Sequence, residues 1–227
     1  MEIHKSEGVV LHALKYGDYD QILTVFTREE GLIKLIVKGA YRNQKKATST
    51  APLTQAEFIY AKRQSTLFLC QEKSVINYHL GLRESLERLE GACALVKSLT
   101  ATQVELKPAH LVYELLICYM ERLSQAQAKQ VQNLVSSFQL KLLRHEGLFG
   151  LTPHCKQCNE DLVNHYIVQG ENFCKEHKPD QGISLTAFEA QAVFTLAFSR
   201  SLPLIEESVM DLGLKEKIDW LFESLLG

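Results

Sequence analysis

Two short motifs in this 227-residue sequence are set out for metal chemistry: Cys155-Lys-Gln-Cys158 and Cys174-Lys-Glu-His177. A C-x2-C knuckle followed 15 residues later by a C-x2-H knuckle is spaced for one tetrahedral zinc ion. Two residues between ligands let the backbone turn so that both side chains reach the same ion. The metal in turn lowers the thiol pKa until the thiolate forms. Four protein ligands leave no open coordination position, so the expected role of Zn2+ is structural and not catalytic. Phe173 and Tyr166 are candidates to cover the site, and His154 and His165 are fallback ligands that fit the knuckle spacing less well. The competing reading is three free thiols and a surface histidine. A redox pair is a poor alternative, because no βαβ pattern surrounds the motif. Cys70, Cys93 and Cys118 sit singly in apolar patterns and read as plain buried residues.

The second chemical feature is charge. No acidic residue occurs from Gly31 to Ala56, while Lys34, Lys38, Arg42, Lys45 and Lys46 all fall there. If Leu32 to Lys38 is a strand, Ile33, Leu35 and Val37 face one way and Lys34, Ile36 and Lys38 the other. Lys34 and Lys38 would lie about 13 Å apart, near two nucleotide repeats of an extended single strand. Arg42 keeps that parity if the strand continues, Tyr41 offers a stacking surface, and Lys62 and Arg63 extend the charge. A basic, partly aromatic face on a small barrel grips single-stranded nucleic acid. The bland alternative is a solvated, lysine-protected sheet surface.

These residues need elements to hold them. Val9–Leu14, Ile22–Thr27, Leu32–Lys38, Phe58–Ala61 and Leu67–Cys70 read as five short strands, separated by Tyr16-Gly17-Asp18, by Arg28-Glu29-Glu30-Gly31 and by polar loops. Five antiparallel strands in under 80 residues fit a closed barrel better than an open sheet, since closure removes exposed edges. After residue 80 the period becomes helical: Leu82, Leu86, Leu89, Cys93, Val96 and Leu99 share a face. A second helix follows Pro108, and a third runs from Val131 to Leu143 with Gly147 as its stop. Residues 148–183 break the pattern around the cysteines. Thr186 and Glu189 make a capping box before a helix from Phe188 to Ser199, and a last amphipathic helix carries Leu214, Ile218, Leu221, Phe222 and Leu225. The expected division is a barrel over 1–80 and a helical domain over 81–227, with the zinc module at about 150–180.

Composition narrows the function. Hydrophobic residues at 46% supply a core, which excludes wholesale disorder, and no run of about 18 apolar residues could span a membrane. No signal peptide precedes the first strand, so a cytoplasmic protein without a disulfide framework is expected. The net charge of −2 conceals a split: residues 1–80 hold 11 Lys and Arg against 8 Asp and Glu, and residues 81–227 hold 14 against 19. Interest in polyanions therefore belongs to the barrel, and protein interactions to the helical part. There is no P-loop, G-x-S-x-G or zincin motif, so no catalytic residue is assigned; Asp18 and Asp20 read as turn and cap residues.

Gly8-Val9-Val10-Leu11, the run Tyr16-Gly17-Asp18-Tyr19-Asp20-Gln21-Ile22-Leu23-Thr24-Val25-Phe26-Thr27, Glu30-Gly31, and Val37-Lys38-Gly39-Ala40-Tyr41-Arg42 resemble the opening of the bacterial RecO family. The downstream order is similar too, through Gly150-Leu151-Thr152-Pro153 and the knuckle pair. Tyr41 stands where the family usually has the first Arg of a Gly-Ala-Arg-Arg-like run. His177 stands where many zinc-bearing members have a fourth cysteine, a change zinc tolerates. The resemblance implies an α+β protein, an OB-fold barrel on a helical domain with a zinc-knuckle module. It implies a non-enzymatic mediator of recombinational DNA repair that binds single- and double-stranded DNA and anneals complementary strands. It also implies work with RecR, contact with the C-terminal tail of single-stranded DNA-binding protein, and help in loading RecA. A zinc-stabilised OB-fold that binds RNA or serves as an assembly adaptor is the alternative, separable by substrate because the 2′-hydroxyl distinguishes RNA from DNA.

Overall fold

The computed structural model describes residues 2–42, 50–62 and 66–226. Five strands, β1 (Ile3–Tyr16), β2 (Asp20–Thr27), β3 (Gly31–Val37), β4 (Gln55–Ala61) and β5 (Leu67–Asn77), close into a barrel of order β1-β2-β3-β5-β4. Closure depends on the length of β1. Its first half pairs with β4, Ile3 opposite Ala61, and its second half with β2, Tyr16 opposite Asp20. The parallel pairing of β3 with β5, Lys34 opposite Leu67, completes the ring. Alternate residues fill the interior: Ile33, Leu35 and Val37 from β3 meet Val10, Leu23, Val25, Phe58, Tyr60 and Phe68. This is the expected inward parity of β3.

The hairpin between β2 and β3 turns at Gly31, whose φ is +70°. A Cβ there would run into the Lys107 carbonyl oxygen, so only glycine fits both the turn and the close approach.

The helices are α1 (Leu86–Thr102), α2 (His110–Leu123), α3 (Ala128–His145), α4 (Ala187–Phe198), α5 (Leu202–Glu206) and α6 (Leu212–Leu226). They do not separate from the barrel at residue 80. One compact unit comprises residues 1–92 and 103–125, taking in the barrel and α2. The other comprises residues 93–102 and 126–227. Within the first, α2 buries Tyr113, whose ring meets Phe26 at 6.2 Å and whose hydroxyl accepts from the Gln55 amide at 3.4 Å.

In the second unit α3 packs against α4, α5 and α6. Gly147 ends the chain's passage out of α3 at φ +73°, the left-handed stop expected of it. The Thr186 hydroxyl accepts from the Glu189 amide and the Glu189 carboxylate accepts from the Thr186 amide, the capping box read in the sequence. Between α3 and α4 lies a three-stranded sheet that periodicity did not show: β6 (His165–Val168), β7 (Glu171–Phe173) and β8 (Ile183–Leu185), order β7-β6-β8. Three- and four-residue strands are too short to impose an alternating pattern.

Candidate nucleic-acid interface and metal centre

β3 ends at Val37, so the parity carrying Lys34, Lys38 and Arg42 along one strand does not hold. The physical reason is Gly39, at φ +63°, whose amide donates to the Asp20 carboxylate at 2.9 Å. That turn sends the chain into a 3-10 turn over Ala40–Arg42. Lys38 is drawn to the same carboxylate, 2.7 Å away. The Lys38 ammonium first, then the Gly39 amide, holds the Asp20 carboxyl below its ordinary range. Asp20 is thus the cap residue the sequence suggested.

The acid-free span is also less bare than it reads. Lys34 pairs with Glu105 at 2.5 Å, so acids remote in sequence sit on both Lys34 and Lys38. Lys62 is exposed where β4 ends, its amide donating to the Glu2 carbonyl at 3.2 Å. Lys45, Lys46 and Arg63 lie outside the described residues.

Tyr41 and Arg42 come to a cluster that sequence spacing concealed. The Tyr41 amide donates to the Tyr19 carbonyl, and the Arg42 guanidinium lies 5.1 Å from the Tyr19 ring centre. Lys15 stands 6.0 Å from the Tyr41 ring centre, and the Tyr41 hydroxyl accepts from Gln21. Tyr16, Tyr19 and Tyr41 are 52%, 53% and 41% exposed, so three rings and two cations share the β1–β2 end of the barrel. Sequence spacing does not single out Lys15, Tyr16 and Tyr19, because Tyr16-Gly17-Asp18 reads first as a turn. The signal lay in that turn being the β1–β2 loop, a binding loop of small five-stranded barrels. Exposed rings give bases a face to stack on, and the cations answer the phosphates.

In the second unit the knuckles converge. Ligand atoms of Cys155, Cys158, Cys174 and His177 all lie within 4.8 Å of one another. Cys158 Sγ is 3.9 Å from Cys174 Sγ, and His177 Nδ1 is 3.9 Å from Cys155 Sγ and 3.2 Å from Cys174 Sγ. A tetrahedral ion with metal–sulfur bonds of about 2.3 Å needs sulfur–sulfur edges near 3.8 Å, by geometry. The donor set therefore fits one metal ion.

The backbone sets this up. Asn159, at φ +61°, returns its amide to the Cys155 carbonyl, and the His177 amide donates to the Cys174 carbonyl. Desolvation acts to raise the Cys155 thiol, but amides of Cys158, Cys174 and Gln157 outweigh it and bring it down to about 6. The Glu160 amide acts to lower Cys158, yet desolvation and the neighbouring sulfurs push it up to about 11. One thiolate forms readily; the next needs a cation to share. The fallback ligands are elsewhere: His154 pairs with Asp161 at 2.8 Å, and buried His165 meets Asn172 Oδ1 at 3.2 Å. Of the three solitary cysteines, Cys93 and Cys118 are exposed and not buried, because each falls off the apolar stripe of its helix. Cys70 lines the barrel core, where burial pushes its thiol up to about 11.

The family model described as recombination protein O, N terminal, matches residues 1–79. The DNA repair protein RecO of Chlamydia pneumoniae is 27% identical over 221 residues, 96% of this chain and 86% of that protein. The chain is similar to RecO proteins along nearly its whole length, and its first 79 residues match the family model. The RecO of Bacillus subtilis strain 168 is 26% identical over 234 residues, covering 98% and 89%. That of Salinibacter ruber is 26% identical, covering 99% and 87%. The likeness therefore runs through both compact units, and the closed barrel, an OB-fold, lies within the span that the family model matches. Among the described residues no helix is long and apolar enough to cross a membrane.

Proposed function

We propose that this chain is a DNA-binding recombination mediator that anneals complementary strands. On this reading it also helps load RecA onto single strands coated by single-stranded DNA-binding protein, together with RecR. The observation that carries it is the cluster of Tyr16, Tyr19 and Tyr41 with Lys15 and Arg42 at one end of the closed barrel. Stacking holds single strands without regard to sequence, and cations let two polyanions approach. Nothing in this role breaks or makes a covalent bond, so the proposed protein is not an enzyme. Zn2+ is the proposed occupant of the Cys155, Cys158, Cys174 and His177 set, in a closed and structural site.

The second unit is the proposed protein-binding part. A groove walled by Ala94, Val135 and Phe222 is the proposed docking place; Lys97 and Glu223 line it, beside the Lys215–Asp219 ion pair. Lys141 and Arg144 of α3 are engaged elsewhere, with the carbonyls of Ser199 and Ala197. The test is annealing of complementary strands, bare and coated, with full-length protein. Accelerated annealing of both supports the reading; no acceleration of either sinks it.

A further inference from the structure

Residues 103–107 cross from α1 to α2 along an edge of β3 that β5 leaves open. Among the described residues β5 pairs with β3 at Lys34, Leu35 and Ile36. Nearer the start of β3 the ladder partner is Glu105, bridged in parallel to Leu32, with the Leu106 amide donating to the Leu32 carbonyl at 2.9 Å. Two features hold this strap close. Gly31 lacks the Cβ that would strike the Lys107 carbonyl, and Leu106 adopts the left-handed region at φ +60°. The strap's backbone is therefore fixed, and it delivers the Glu105 carboxylate to Lys34 Nζ at 2.5 Å. Among the described residues Lys34 is the ionic partner of Glu105. The two side chains remain 48% and 46% exposed.

We propose that Glu105 is a built-in phosphate surrogate, an autoinhibitory contact that occupies Lys34 until a nucleic-acid phosphate displaces it. The proposal rests on the reading of the barrel as a DNA-binding surface and adds a control to it. A carboxylate and a phosphate oxygen accept from an ammonium in the same way. A half-exposed pair gains little from its Coulomb attraction, so the exchange is easy and salt-sensitive. Asp20 differs from Glu105: it also accepts the Gly39 amide, so its pairing with Lys38 belongs to the turn. Glu105 reaches Lys34 from a separate segment, and its carboxylate is dispensable to the strap's backbone bonds.

The test is affinity of the full chain for a single-stranded oligothymidylate, measured against salt, for wild type, Glu105→Gln, Lys34→Ala and the double variant. Glu105→Gln should bind more tightly at low salt, with a slope steeper by about 0.7 for the one phosphate contact no longer contested. Its advantage should shrink by about 2.6-fold between 50 and 200 mM salt, from that slope. The double variant should bind as Lys34→Ala does, since Glu105 acts through that lysine. Glu105→Gln indistinguishable from wild type, beside a weakened Lys34→Ala, overturns the surrogate and leaves the DNA-binding face standing. If Lys34→Ala also binds as wild type, the face itself is misplaced and the surrogate falls with it. Equal melting temperatures for Glu105→Gln and wild type confirm that only the charge was removed.

Discussion

Arg144 lays its guanidinium 3.9 Å from the centre of the Phe198 ring and donates to the Ala197 carbonyl at 2.6 Å. It belongs to a stripe along α3. Asn133 donates to the carbonyls of Glu206 and Ser208, Ser137 to Leu196, and Lys141 to Ser199. Leu196, Ala197 and Glu206 lie in the last turns of α4 and α5, whose carbonyls lack intrahelical partners, and Ser199 and Ser208 follow those ends. A positive side chain there also suits the negative end of the helix dipole. Arg144→Ala should cost about 1–2 kcal/mol, from one charged hydrogen bond and one exposed ring contact. Arg144→Lys should recover only part, since an ammonium does not stack as a guanidinium does. Chemical denaturation reads both, and affinity for an acidic tail peptide should not change.

Tyr19 and Lys15 should separate by salt dependence. Tyr19→Ala removes a stacking face and the ring under Arg42, so single-strand affinity should fall by about 1–3 kcal/mol per base lost, with little change in salt slope. Double-stranded DNA, whose bases are already stacked, should lose less. Lys15→Ala should flatten the single-strand slope by about 0.7. Titrations with both DNA forms at three salt concentrations check this; an equal loss on both forms would remove stacking from the account.

The sequence carried the barrel well and its charged face poorly, for reasons visible in particular residues. Ile33, Leu35 and Val37 alternate because they fill the barrel, and that pattern survives in one dimension. The pairing of Lys34 with Glu105 joins residues 71 positions apart, so no local window contains it. Lys38 left its strand because a carboxylate on β2 caps Gly39, again a contact across the fold. The knuckles were legible because ligand spacing is local chemistry. The β1 pattern is legible only from Val9 onward, since Ile3–Glu7 carries too little burial to show one. Tyr16 and Tyr19 flank a real turn, and what the turn is for depends on what folds beside it.

Removal of the metal should strike one region. Cys158→Ser, or chelation under reducing conditions, should raise hydrogen exchange across 154–177 and leave β1 to β3 protected, because the ligands tie loops around a sheet of three short strands. Purified protein should carry about one zinc per chain. Acid should release it, as protons compete for the thiolates. Reduced, chelator-free protein without metal would end the zinc assignment.

His79 sets the last expectation. It is 3% exposed, its ring nitrogens have no hydrogen-bond partner among the described residues, and burial pushes its pKa below the ordinary 6.5. Its backbone sits at φ +47°, held by the Asn77 side chain accepting its amide. The folded chain therefore keeps the imidazole neutral while the unfolded chain protonates it. The unfolded state binds more protons below pH 6.5, so stability rises with pH there. The contribution is full above the unfolded pKa and is lost as pH falls toward the folded one. One proton limits the loss to about 1.4 kcal/mol per pH unit. Asparagine tolerates the left-handed region and does not titrate, so His79→Asn should flatten the dependence between pH 7.5 and 5.5 relative to wild type. Urea denaturation across that range measures both. Parallel curves for the two proteins would show that His79 takes up no proton on unfolding.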